Sequence, residues 1–243
     1  MSSVLIPFAK RTSDGQIVGI DEVANGLACN CVCLSCNAAL VAKTNVTTKQ
    51  AHFAHYKAGS AGDACAVTFE NSVLWMASEL LNKPGNFLIP GLYDSQYRLL
   101  VKEAVRPYEA VEAVEKGLQH LSCLMLIEHK EQIHPLGLTL YFPPDRPIGP
   151  FKHAGKEYPH VGINLDTLHI IWALAQGNFT EALYHLIFAM PEVRDWIFHE
   201  KKVAPLPAQS QPPILPANHP QGFTPEELKN LDALAATLKG WKK

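Results

Sequence analysis

Five of the six cysteines in this chain fall between Cys29 and Cys65, and two histidines, His52 and His55, stand among them. Cys33-Leu34-Ser35-Cys36 opens the arrangement, His52-Phe53-Ala54-His55 follows, and Cys65 closes it after the small residues of Ala58-Gly59-Ser60-Ala61-Gly62. Two cysteines two residues apart can grip one ion from a tight turn, and a returning pair can close a tetrahedron around it. Thiolate sulfur and imidazole nitrogen are the ligands zinc prefers. The spacing therefore predicts a zinc ribbon or knuckle, with Cys33, Cys36 and Cys65 as three ligands and one of His52 or His55 as the fourth. Cys29 and Cys31 alternate with Cys33, so in a strand all three would share a face and one of them could replace a named ligand. A closed set of four protein ligands is structural, and the histidines lack the helical HExxH setting of a hydrolytic site.

The rest of the chain must be read as what this module is attached to. With 243 residues, 47% of them hydrophobic, it can bury one large or two small cores. No apolar run approaches the roughly 18 residues that would span a bilayer, and no charged leader precedes a long apolar segment, so a cytoplasmic protein with no membrane contact is expected. Clustered cysteines in such a chain fit metal ligands or reduced thiols better than disulfides. Lys plus Arg is 21 against 23 for Asp plus Glu, a net charge of −2, which leaves no global basic field to attract nucleic acid. Any phosphate contact would be local, from groups such as Lys43, Lys49, Lys57 and Arg98, with Phe53 and Tyr56 available for stacking.

Taken in order, residues 4–9 and 16–23 flank Asp14-Gly15 and predict a hairpin, and strands are expected over 28–33 and 39–42. Apolar residues at three- and four-residue intervals predict a helix over 64–81, ended by Pro84-Gly85. Strands are expected over 87–90, 96–105, 121–127 and 136–142. Near-continuous apolar patterns predict helices over 165–175 and 179–189, with a third over 191–200. The prolines of 203–222 suit an extended linker. A last helix is capped by Thr224, opened by Pro225 and striped by Leu228, Leu231, Leu234 and Leu238; it would dock on its own chain or on a protein partner. The expected organisation is α+β: a β-rich zinc-ribbon-like module over 1–66, an α/β core over 67–163, a helical region over 164–202, the linker, and the amphipathic helix over 223–243.

Asp21-Glu22-Val23-Ala24-Asn25-Gly26, the run Cys33 to Leu40, His52-Phe53-Ala54-His55, Cys65 and the helix opening at Glu70 together resemble the competence protein CoiA-like family over about the first third of the chain. The resemblance implies a zinc-ribbon segment joined to a restriction-endonuclease-like nuclease domain, and a DNA-associated role in uptake, recombination or defence with Mg²⁺-dependent phosphodiester cleavage. Such chemistry needs carboxylates to hold Mg²⁺ against the scissile phosphate and a lysine to orient or activate water. Glu128-His129-Lys130 at the end of an apolar run supplies a Glu-x-Lys pattern. Glu109, after Arg106-Pro107-Tyr108, stands where the family pattern implies the other acid, and Glu70 opens the helix. Glu109, Glu112 and Glu115 equally fit a solvated helix face. Asn71 follows Glu70 where the family pattern has serine, Leu74 stands at the place of a histidine and Ser78 near that of a lysine. These departures keep a second class open: a non-catalytic zinc-stabilised adaptor binding protein or nucleic acid.

Overall fold

The computed structural model describes residues 5–44, 50–56, 65–117, 119–174 and 179–201. The predicted linker and C-terminal helix lie outside these residues. The first hairpin forms around Asp14-Gly15: β1 (Phe8–Arg11) pairs antiparallel with β2 (Ile17–Gly19), and Gly15 takes a φ of 73° that a side chain would resist. Arg11 clamps the turn through Asp14, 2.6 Å away. The strand expected over 28–33 is broken. Leu27–Cys29 is a 3-10 turn ended by Asn30 in the left-handed region, and only β3 (Cys31–Val32) pairs with β1. Cys29, Cys31 and Cys33 therefore do not form one strand face. A second hairpin joins β4 (Leu40–Lys43) to β5 (His52–His55).

Helix α1 (Phe69–Leu81) starts five residues later than the apolar periodicity alone suggests, because Thr68 caps it. Asn71 N–H donates to Thr68 Oγ1 (3.2 Å), and Asn71 Oδ1 accepts from Thr68 N–H (2.9 Å), a reciprocal capping box. Asn71 thus has a structural task at the helix start, and Leu74 is fully buried in the core.

After α1 come β6 (Gly85–Ile89), the small pair β7 (Leu92–Tyr93) and β8 (Leu99–Val101), then β9 (Ala104–Lys116), β10 (His120–His129) and β11 (Gln132–Tyr141). The single strand expected over 96–105 is two pieces, and 109–115, which also suited a helix, lies in β9. β12 (Phe151–His153) and β13 (Lys156–Tyr158) form a short hairpin before β14 (His160–Asn164). Helices α2 (Leu168–Leu174) and α3 (Phe179–Phe188) follow. The third helix expected over 191–200 is instead a 3-10 turn at Pro191–Val193 leading into strand β15 (Arg194–Phe198). Its buried positions, Arg194 and Trp196, recur every two residues, the period of a strand, and ladder bonds to β14 fix it there.

The principal sheet has six strands in the order β15-β14-β11-β10-β9-β6, antiparallel except where β14 runs parallel to β11. On β10, Leu121, Cys123, Met125 and Ile127 are buried on the face that meets α1. Tyr108, opposite Ile127, stacks on Phe188 of α3, with centroids 5.8 Å apart. The fold is thus mixed α and β, mostly strands with few helices. The N-terminal strands belong to the same unit, which runs to His199. Phe8 stacks on Phe179 at 5.3 Å, and Thr180 Oγ1 donates to Glu22 at 2.7 Å.

Candidate metal centre

Backbone geometry delivers the ligands one by one. Cys33 follows β3 and begins a tight turn in which Cys33 N–H donates to Ala38 O and Asn37 N–H donates back to Cys33 O. Asn37 closes the turn at a φ of 56°, a conformation that asparagine tolerates. This brings Cys36 back toward Cys33, and Ser35 N–H points at Cys33 Sγ from 3.4 Å. Side chains alternate along β5, so Phe53 and His55 share one face and His52 takes the other. Phe53 is fully buried among Cys33, Leu40 and Ala42, which turns His55 toward the cysteines. Cys65 arrives just before the Thr68 cap, so the start of α1 fixes the fourth position.

Cys33, Cys36, His55 and Cys65 converge with all four ligand atoms within 4.8 Å of one another. Cys33 Sγ lies 3.5 Å from Cys65 Sγ, and Cys36 Sγ lies 3.4 Å from His55 Nε2. A tetrahedral zinc with Zn–S near 2.3 Å and Zn–N near 2.0 Å sets sulfurs about 3.8 Å apart and sulfur from nitrogen about 3.5 Å apart. The cluster therefore matches the size of such an ion, and its soft sulfur-rich donor set matches its chemistry. No pair among the six cysteines is a disulfide.

Protonation is consistent with a site completed by metal. Burial pushes the Cys33 thiol up to about 12. Burial also opposes ionisation of Cys65, but hydrogen bonds from Val67 N–H and from the Cys36, Cys33 and Ser35 side chains outweigh it and hold this thiol below its ordinary value. An ion would displace the remaining thiol protons.

The other cysteines and His52 stand apart from the cluster. Cys29 Sγ donates to Leu40 O and Cys31 Sγ to Cys29 O, both thiols buried. His52 Nδ1–H donates to Gln50 O at 2.7 Å. Comparison with protein-family models, curated proteins and solved structures returns no match for this chain. The donor geometry alone identifies the site as one that could hold a metal.

The residues considered for phosphodiester cleavage do not gather in the same way. Glu109 in β9 lies opposite Leu126 in β10. Partners in an antiparallel pair share a face, so Glu109 and Glu128 are diagonal neighbours on the sheet face turned away from α1. Glu70 is on α1, across the sheet, 3.5 Å from His169. Lys130 is not on the strand: Lys130 and Glu131, at φ 52° and 61°, form the two-residue turn between His129 and Gln132. Among the described residues, the cysteine–histidine cluster is the group of three or more ligands that could hold a metal. Of the cations considered for phosphate contacts, Arg98 is paired with Asp94 at 2.6 Å and Lys43 is exposed on β4, while Lys49 and Lys57 lie outside the described residues. No described helix is long and apolar enough to cross a membrane.

Proposed function

We propose that this chain is a zinc-stabilised adaptor, in which a closed centre of three cysteines and one histidine fixes the N-terminal module and binding is left to the surface. The carrying observation is the convergence of Cys33, Cys36, His55 and Cys65, four protein ligands that leave no coordination position for substrate. Zinc, when bound, supplies a cross-link between the Cys33–Cys36 turn, the end of β5 and the approach to α1. The residues around it do the rest: Ser35 N–H stabilises the Cys33 sulfur and Phe53 anchors the strand that carries His55. Six cysteines with no disulfide among them accord with a reducing compartment such as the cytoplasm. The test is metal analysis of the purified chain, with about one equivalent of zinc expected and a loss of more than half of it in Cys36→Ser. Retention of full zinc by that variant would sink the assignment.

A second reading is a DNA-associated protein of the CoiA-like kind with Mg²⁺-dependent cleavage. What favours it is the diagonal position of Glu109 and Glu128 on one sheet face, together with the cysteine and His-Phe-Ala-His elements of the first third. Under this reading Glu128→Ala and Lys130→Ala each abolish metal-dependent cleavage without unfolding the chain. A salt series on DNA binding separates the two readings: binding that falls steeply with salt marks phosphate contacts. No binding at any salt directs the adaptor to a protein partner.

A further inference from the structure

Away from the metal centre, on the sheet face turned from α1, a cleft of about 640 Å³ opens between β10–β11 and the segment 147–152. Its floor is a chain of polar groups contributed by three neighbouring strands. Ser122 Oγ lies 2.9 Å from Thr139 Oγ1, which lies 2.9 Å from His160 Nε2, and His160 Nδ1 lies 3.1 Å from Gly149 O. Thr139 and His160 are buried, and Ser122 presents the end of the chain to the cleft.

One end of this chain fixes the direction of every bond in it. The carbonyl of Gly149 can only accept, so His160 Nδ1 carries a proton. His160 is 4% exposed, its ring lies edge-on to Phe151, and its two ring nitrogens bond to a hydroxyl and a carbonyl, neither of which supports an imidazolium as a carboxylate would. Burial accordingly lowers its pKa. A neutral ring with Nδ1–H has an accepting Nε2, so Thr139 donates to His160 and Ser122 donates to Thr139. The Ser122 proton is therefore directed inward, and its lone pairs face the cleft.

The second polar group is Asp145, whose Oδ2 lies 3.5 Å from His120 Nδ1 in the cleft wall. Lys152, at the rim, is paired with Glu157 at 3.4 Å. Floor and wall thus offer acceptors and one negative charge, while Phe151, Pro147 and Pro150 supply apolar surface. An anion would meet no hydroxyl proton on this floor. A flat cation with several N–H groups would meet acceptors beside apolar surface, the combination that suits guanidinium and amidinium groups.

We propose that this cleft is a binding site for a planar organic cation of the guanidinium or amidinium class, whose N–H groups donate to Ser122 Oγ and the Asp145 carboxylate. Free small molecules and an arginine side chain share this chemistry. The test is titration of the full chain with benzamidine, followed by amide chemical shifts of Ser122, Gly149 and Phe151, with benzoate as the probe of similar shape and opposite charge. Saturable shifts with benzamidine and none with benzoate are expected. Asp145→Asn and Ser122→Ala should each weaken binding at least about tenfold, the loss that follows from removing a partner of a charge-assisted hydrogen bond. Asp145 is exposed, so its variant keeps the fold even if Ser122→Ala does not. Methylguanidine and the blocked tripeptide Ac-Gly-Arg-Gly-NH₂ separate the sources: saturation by either supports the site, and the tighter of the two names its occupant. Absence of saturation with all three cations, equal binding of benzoate, or unchanged affinity in Asp145→Asn overturns the proposal.

Discussion

Phe8, the first residue of β1, stacks on Phe179, the first residue of α3, with ring centroids 5.3 Å apart and planes inclined by 24°. Phe179 also meets Phe69 of α1 and Trp172 of α2, each at 6.0 Å, so one aromatic cluster joins the N-terminal strands to the helices behind the sheet. The residues around the cysteines form a hydrophobic cluster of their own, with Trp75 of α1 packed against it, and Phe8 ties the strand beside that cluster to the helices. Phe8→Ala should cost about 3–5 kcal/mol by urea unfolding, as expected for emptying a fully buried aromatic site. A change below about 1 kcal/mol would mean that the cluster relaxes without loss.

The two histidines of β5 should respond oppositely. His55→Ala removes a ligand and should release most of the zinc, whereas His52→Ala should retain about one equivalent, because His52 belongs to the other strand face. Metal content of both variants, measured side by side, decides between them. A chelator should lower the thermal midpoint of the unaltered chain and have a much smaller effect on His55→Ala.

The buried His160 makes stability depend on pH in a defined direction. Burial lowers its folded pKa below the ordinary 6.5, so below about pH 6.5 the unfolded chain holds more protons at this position. Its contribution to stability is full above that pH and declines as pH falls from about 6.5 toward the lowered folded value. Urea unfolding at pH 7.5 and 5.5 should show a smaller acid loss in His160→Phe than in the parent chain, a comparison in which acid release of metal is common to both.

Arg194 is the most deeply buried cation among the described residues, 5% exposed on β15. Its guanidinium donates to Ile187 O and Met190 O at the end of α3 and lies over the Phe87 ring at 5.0 Å. Burial lowers its pKa to about 10, which still leaves it charged at neutral pH. Arg194→Met keeps the volume but leaves these carbonyls without their donor, and should destabilise by about 2–3 kcal/mol in denaturant unfolding. Arg194→Lys should recover only part of this loss, since an ammonium cannot fork to two carbonyls from the same position.

The Lys130-Glu131 turn is built from two residues that its backbone conformation disfavours. Both residues occupy the left-handed region, where asparagine and glycine are favoured. The double change Lys130→Asn, Glu131→Gly should stabilise the β10–β11 hairpin by about 0.5–1 kcal/mol in thermal unfolding. If metal-dependent cleavage is present and survives this change, Lys130 takes no part in it.

Much of the cysteine–histidine cluster is legible in the sequence, because ligand chemistry and short spacings act locally. Cys33 and Cys36 need only a tight turn, and Cys65 needs only the Thr68 cap to place it. Strand alternation separates His55 from His52, but which face is inward depends on Phe53 burying itself beside Cys33, a tertiary fact. The stretch 191–200 reads as a helix along the chain, whereas the ladder to β14 that makes Arg194–Phe198 a strand is non-local. The cleft residues Ser122, Thr139 and His160 come from three strands, and no spacing along the chain announces them. Hydrophobic patterning finds β10, yet gives no hint that its polar face meets β11 and β14 in a directed chain of hydrogen bonds.

The Phe8–Phe179 stack also has a consequence for synthesis. Its partners are separated by 179 − 8 = 171 residues, so at about 5–20 residues per second the first strand waits on the order of ten seconds or more for the surface that covers it. All four metal ligands have been made by Cys65, long before α3 exists. A metal ion held by these four side chains could therefore close the N-terminal module while the ribosome is still making the sheet. In that interval such an ion would tie the Cys33–Cys36 turn to the end of β5 before the aromatic surface that anchors β1 has been made.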